Sequence, residues 1–307
     1  MVPQPVCESE TPRSLLPIEL LAATRDKHHA LNLQILKNLP LCVPPASDSP
    51  ILYAKGMAVF GQIYYAFEAH LTACLEDKEF DETLRDLYKR IYVPRLLRSP
   101  RLRRDLEIVN MRLGDHGKQE VEDISERSMI YYRRIRAALC AKPHVLLAYM
   151  WTMYLALFNG GRWMRSQFFS AGSSFWLGQD FPLSFWDFED PTGTASNGED
   201  LKVAFKENFA EASRLLDDTQ RDEVIDESKN LFDLCLEMVR FLEGGPSLLA
   251  SPETFSTHIA ATNRAADRSP TTGSLVLPAW HYVASLFGSL ATAASNTVWR
   301  RKELSSD

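Results

Sequence analysis

The segment Ala148–Gly161, AYMWTMYLALFNGG, is apolar and aromatic-rich, reaches two adjacent glycines, and runs on into RWMRSQFF with its helical character intact. Glycine inside a helix costs about 1 kcal/mol relative to alanine, so a Gly-Gly pair there needs a physical reason. Three are available: a kink, a helix end, or a backbone that must lie close to something flat. Taken alone, the segment favours the first, a kinked core helix.

The rest of the chain reads as helix too. No run of alternating hydrophobicity stands between turn dipeptides, so the expected class is all-α. Helices are expected at Pro17–Leu39, Ile51–Cys74, Asp81–Tyr92, Pro100–Leu113, Val121–Cys140, through the Gly-Gly segment, and at Asp200–Asp217 and Gln220–Glu243. The punctuation comes from the PPASDSP loop at 44–50, from Pro94, Pro100 and Lys142-Pro143, and from Gly244-Gly245-Pro246. Ser170–Glu199 is a loop-rich stretch studded with aromatics.

This divides the chain into a Pro/Ser/Glu-rich disordered start (1–16), one helical domain (17–244), a polar linker (245–268) and a C-terminal segment (269–307). Ser269–Trp299 carries no Asp, Glu, Lys or Arg, and Arg300, Arg301 and Lys302 follow at once. It is long enough to cross a bilayer but only moderately apolar, so a membrane anchor and a buried or interfacial helix are both open. A net charge of -6 gives no footing for general nucleic-acid binding. The basic run Arg85–Arg104 reads as a solvated, mixed-charge helical face. Five scattered cysteines without C-x-x-C spacing suggest reduced thiols in an intracellular protein, cytoplasmic or held at the cytoplasmic face of an internal membrane. No signal peptide is visible at the start.

Three side-chain sets stand out within the helices. On the first, Leu21, Thr24, Leu31 and Ile35 form a stripe with a gap that His28 fills, so His28 points inward while His29 falls off the stripe. Such a residue is either a core histidine bonded to a neighbour or an axial haem ligand. On the second helix Phe60, Ile63, Tyr64, Phe67 and Leu71 share a face, and the Tyr64 phenol needs a partner there. Lys202 and Lys206 lie one turn apart beside Phe205 and Phe209; they are either a surface pair or a clamp for a dianionic ligand edge.

Several stretches resemble, in order, the motifs of the haem oxygenases. ATRDKHHALN is similar to the first-helix motif, in which a threonine stands four residues before the proximal haem ligand; the match implies that His28 ligates the iron. FGQIYYAFE resembles the second-helix motif and sets Tyr64 on the distal-pocket tyrosine. YMWTMYLALFNGGRW resembles the kinked distal helix, Y-L-G-D-L-S-G-G-Q, with Gly160 and Gly161 on the glycines that approach the porphyrin face. The region from LSFWDFED to EDLKVAFKENF resembles the segment that holds the haem propionates, matching Lys202 and Lys206, and QRDEVIDESKNLFDLCLEMVRFLE resembles the last helix. The resemblance spans 17–244, and a charge-free C-terminus suits the family's tail anchor.

It also implies a function: oxygen-dependent degradation of haem to a linear tetrapyrrole, iron and carbon monoxide. Electrons would come from an external reductase such as an NADPH-dependent flavoprotein, since the chain has no G-x-G-x-x-G loop. The departures are as informative. Leu157 stands where the family has the aspartate that organises the distal waters, Ala156 replaces the preceding glycine, and Met153 the upstream arginine. Asn159 replaces the serine, Arg162 the glutamine, and Leu21 the first-helix lysine. Leucine cannot relay a proton. Either Tyr64, Asn159 and ordered waters take over proton delivery, or the chain binds haem without opening it, as a carrier, sensor or peroxidase-like protein. A third reading keeps the fold without haem.

Overall fold

A computed structural model describes residues 14–188 and 198–244, and all regular structure among them is helical. The 1–13 start and the segment from 245 onward, with its anchor-like stretch, lie outside the described residues. Among the described residues no helix is long and apolar enough to cross a membrane. In order the helices are α1 (Leu16–Asn38), α2 (Ile51–Glu76), α3 (Glu82–Ile91), α4 (Ser99–Arg112), α5 (Asp115–Ala141), α6 (Leu146–Ala156), α7 (Arg162–Ser170), the single turn α8 (Gly172–Phe175), α9 (Glu199–Ala212) and α10 (Asp218–Leu242). A π turn, Leu157–Gly161, joins α6 to α7.

Local chemistry sets several of these ends. Pro17 sits in the first turn of α1, where its missing N–H costs nothing. Asp81 accepts from the Leu84 N–H at the start of α3, and Asp217 with Gln220 forms a capping box on α10. The fifth helix begins at Asp115 rather than at the expected Val121, with an acidic residue in its first turn, where the helix dipole favours it.

α2 is the central post. Tyr53, Ile63, Tyr64, Phe67 and Leu71 are all buried, and the helix is covered on most sides. α5 runs beside it in the same direction, tied at one end by the Lys55–Glu120 ion pair. α1 and α10 also run side by side in one direction. Arg221–Glu19 at 2.9 Å, Lys27–Asp233 at 2.6 Å and Asn38–Glu243 at 3.1 Å mark their start, middle and end. The Lys27–Asp233 and Asn38–Glu243 pairs are exposed, so they set register more than they add stability, while Arg221–Glu19 is mostly buried.

The deepest polar contact lies where α2, α4 and α6 meet. The Glu68 carboxylate is 3% exposed and accepts from the backbone N–H of Arg98 and of Ser99, both at 2.8 Å, and from the Tyr154 hydroxyl at 3.0 Å. It thereby satisfies donors at the start of α4 that have no partner inside that helix. Burial pushes its pKa up, against the pull of those hydrogen bonds. The Arg98 guanidinium, wholly buried, donates to the carbonyls of Leu96, Arg95, Phe185 and Asp187 and covers the Phe188 ring. Desolvation lowers its pKa to about 10, which still leaves it charged at neutral pH. Asp105 of α4 accepts from the Ser184 hydroxyl and the Phe185 N–H, both at 2.7 Å. The aromatic stretch after α8 is thus pinned, and Phe175, Trp176, Phe185, Trp186 and Phe188 are buried.

Glu68→Ala would strand two backbone donors and a phenol in the core. We expect it to lower the free energy of unfolding by about 3 kcal/mol, measured by urea denaturation; a loss well under half of that would mean that water replaces the carboxylate.

Candidate functional site

α1 is less buried than a core helix should be. Along its length, from Leu15 to Asn38, it borders one cavity of about 2460 Å³ that runs between it and α2, α5, α6, the π turn, α7, α9 and α10. At 1.5 Å per residue the 23 residues of α1 make a wall about 35 Å long. The stripe that sequence periodicity turned inward therefore faces a groove. Leu21, expected in the interior, is 48% exposed, and Leu15, Ile18, Leu41, Leu52, Ile130 and Val203 are exposed in the same cavity. Apolar surface gathered in one concave place marks a ligand site.

His28 sits midway along that wall, half-buried and facing the cavity, with its ring edge-on to Phe232 at 5.8 Å. Burial first, and the neighbouring His29 second, lower its pKa, so the imidazole is neutral at pH 7. A neutral imidazole has a lone pair to give a metal. Among the described residues no group of three His, Cys, Asp or Glu side chains could hold a metal ion. An ion at His28 would thus need other ligands than a cluster of such side chains among the described residues.

The opposite wall is α6 and the π turn. Here the Gly-Gly pair neither ends nor sharply breaks the helix: Gly161 keeps helical dihedrals, and the extra residue is absorbed by the widened turn. The two glycines do different work. A Cβ on Gly160 would meet nothing within 4 Å and would project into open space, and Gly160 lines the cavity. A Cβ on Gly161 would come within 3.3 Å of Trp186 Cε3 and 3.4 Å of Leu157 Cδ2, so this glycine serves packing behind the wall. Leu157 is buried and Asn159 half-buried, and both border the cavity.

Tyr64 reaches the same wall from α2, but its hydroxyl donates to the Met153 carbonyl at 3.1 Å. Burial, reinforced by Glu68 nearby, holds its pKa far above the usual phenol value. Its proton is committed to bracing α6 one turn before the π turn.

The lysine pair is divided. Lys206 is half-buried on the cavity wall; burial and then Lys202 lower its pKa, and among the described residues no acid lies within ion-pair distance of it. Lys202 is not on that wall, and instead faces Glu199 at 3.9 Å, which also pairs with Arg162 at 2.7 Å. A second cation at the cavity, Arg25, was not singled out by the sequence reading, although its place three residues before His28 puts it on the same side of α1. The site thus offers one neutral imidazole, a long apolar cavity and four basic side chains on its lining, Arg25, Lys55, Arg127 and Lys206, of which Lys55 is paired with Glu120, and this fits an apolar, acidic macrocycle.

The family model described as "Heme oxygenase" matches residues 17–241. Among curated proteins, the chain is 26% identical over 186 residues to "Heme oxygenase 1" of Synechocystis, covering 60% of this chain and 69% of that protein. It is 28% identical over 193 residues to "Heme oxygenase" of Guillardia theta, covering 62% and 72%. It is 23% identical over 230 residues to "Heme-binding protein HMX1" of Saccharomyces cerevisiae, covering 68% and 69%. Among solved structures, heme oxygenase-1 from Synechocystis in complex with heme superposes with a TM-score of 0.55 at 22% identity, covering 75% of this chain and 93% of that one. Heme oxygenase 2 from Chlamydomonas reinhardtii, without heme, gives 0.56 at 23% identity, with 74% and 97% covered.

The unequal glycines make a direct prediction. Gly160→Ala should raise stability by up to about 1 kcal/mol, the helix-propensity difference, while Gly161→Ala should lower it by pressing on Trp186. Urea unfolding of the two variants decides; equal stabilisation of both would show that Trp186 yields freely.

Proposed function

The chain belongs to the haem oxygenase family, and we propose that it binds haem through His28 and carries out the family's oxygen-dependent haem degradation. One observation carries the binding: a neutral, cavity-facing His28 stands opposite the open slot at Gly160. In this reading haem is the substrate and supplies the iron at which oxygen reacts, with electrons from an external reductase such as an NADPH-dependent flavoprotein. The products are a linear tetrapyrrole, iron and carbon monoxide.

The protein's own part is binding and positioning. His28 gives its lone pair to the iron, Lys206 and Arg25 meet the propionates, and Lys202 acts one step back by holding Glu199 away from Lys206. Gly160 lets the backbone approach the ring. Tyr64 keeps the Met153 carbonyl, and so the wall, in place. Proton delivery falls to ordered water, which Asn159 holds by hydrogen bonds.

A second reading has its own observation. Leu157 is buried where the family carries an aspartate, and the Tyr64 proton is already used, so the wall lacks a titrating relay. A carrier, sensor or peroxidase-like protein would need none. Haem titration followed by reductant under air separates the two: a Soret band that decays into bilin absorption supports degradation, and a stable band supports the second reading. Leu157→Asp should raise bilin formation if the missing carboxylate limits the chemistry.

His28→Ala should abolish the histidine-ligated spectrum; an unchanged Soret band would remove His28 as ligand. Because the pKa of His28 lies below the ordinary histidine value of about 6.5, protons compete with iron only below that pH. Haem affinity should therefore be flat from about pH 8 to 6.5 and fall on further acidification, by up to about tenfold per unit. A fall beginning above pH 7 would assign the dependence to another group.

A further inference from the structure

The wall facing His28 has two edges. Thr152 and Asn159, seven residues apart, lie along one; Met153, Leu157 and Met164 lie along the other, and Ala156 and Gly160 run between them. The second edge is wholly apolar. Three donors that reach this wall are spent. Tyr64 donates to the Met153 carbonyl at 3.1 Å, the Trp186 indole N–H to the Tyr53 hydroxyl at 3.2 Å, and Tyr53 to the Pro182 carbonyl at 3.3 Å. Asn159 differs: it borders the cavity within the π turn, and among the described residues its carboxamide has no hydrogen-bond partner.

A carboxamide donates a hydrogen bond but has no proton to release, so it can hold a polar ligand without relaying protons. Resting on the haem reading above, we propose that Asn159 discriminates between diatomic ligands of the haem, favouring dioxygen over carbon monoxide. Dioxygen becomes polar when it binds ferrous haem and gains from a nearby N–H; carbon monoxide stays nearly apolar and gains little. Met153, Leu157 and Met164 offer both gases the same dispersion contacts and cannot tell them apart. Since carbon monoxide is a product of the family's reaction, this one hydrogen bond decides how readily oxygen displaces it.

The test uses the full chain, loaded with haem and reduced under argon. Carbon monoxide affinity is measured by titration, and the dioxygen–carbon monoxide partition by competition in stopped flow. Asn159→Ala should shift the partition toward carbon monoxide about tenfold or more, while carbon monoxide affinity changes by less than about threefold, as expected for one lost hydrogen bond to a polar ligand. The C–O stretching frequency should rise as the positive N–H dipole is removed. A partition unchanged by Asn159→Ala overturns the proposal, as does a large shift in Thr152→Val with none in Asn159→Ala. Failure of the wild-type chain to give any Soret band would overturn the haem reading and this inference with it. A normal Soret band with an unchanged partition removes this inference alone.

Discussion

A single buried carboxylate holds the architecture at its most demanding point. Glu68 is anchored on α2, caps the first turn of α4 and receives the Tyr154 hydroxyl of α6. Three helices far apart in sequence are fixed to one pair of oxygen atoms. A buried carboxylate is tolerable only with its acceptor capacity filled, so the three helices must arrive together. Arg98 carries the constraint onward: its guanidinium satisfies four carbonyls and gathers the aromatic stretch at Phe185–Phe188 against the back of the π turn. Trp186 then stands beside Gly161, so the wall of the cavity is set from behind by a polar network the ligand never meets.

The front of the molecule shows the opposite economy. α1 keeps its register through ion pairs to α10, yet turns much of its apolar stripe toward empty space. Those leucines and isoleucines lack the close contacts that reward burial in a packed core. A ligand that filled the groove would complete that side of the fold, so binding and stability are linked there. Lys206 fits the same picture: a half-buried amine with no acid within ion-pair distance among the described residues gains most from an anion that arrives from outside.

The helical class was legible because proline, glycine and caps sit where the periodic pattern stops, and their effects are local. His28 was legible for the same reason, since three- and four-residue steps place a side chain on a stripe without knowledge of the partner. What that stripe faces was not legible. A leucine at position 21 has the same periodicity whether a core or a cavity lies opposite. The lysine pair shows a similar limit: one helical turn places Lys202 and Lys206 together, but Lys202 faces Glu199, which Arg162 also holds, and is not on the cavity wall.

The sequence alone therefore determined helix positions, the inward side of α1 and a Gly-Gly pair that demands an explanation, because each depends on residues within a turn or two. Tertiary structure decided which glycine opens onto the cavity and which packs on Trp186, that Tyr64 spends its proton on Met153, and that Glu68 joins three helices. Each of those depends on atoms from segments many residues apart meeting within about 3 Å, the reach of a hydrogen bond or a close packing contact, and no local pattern in a chain records which distant atoms will meet.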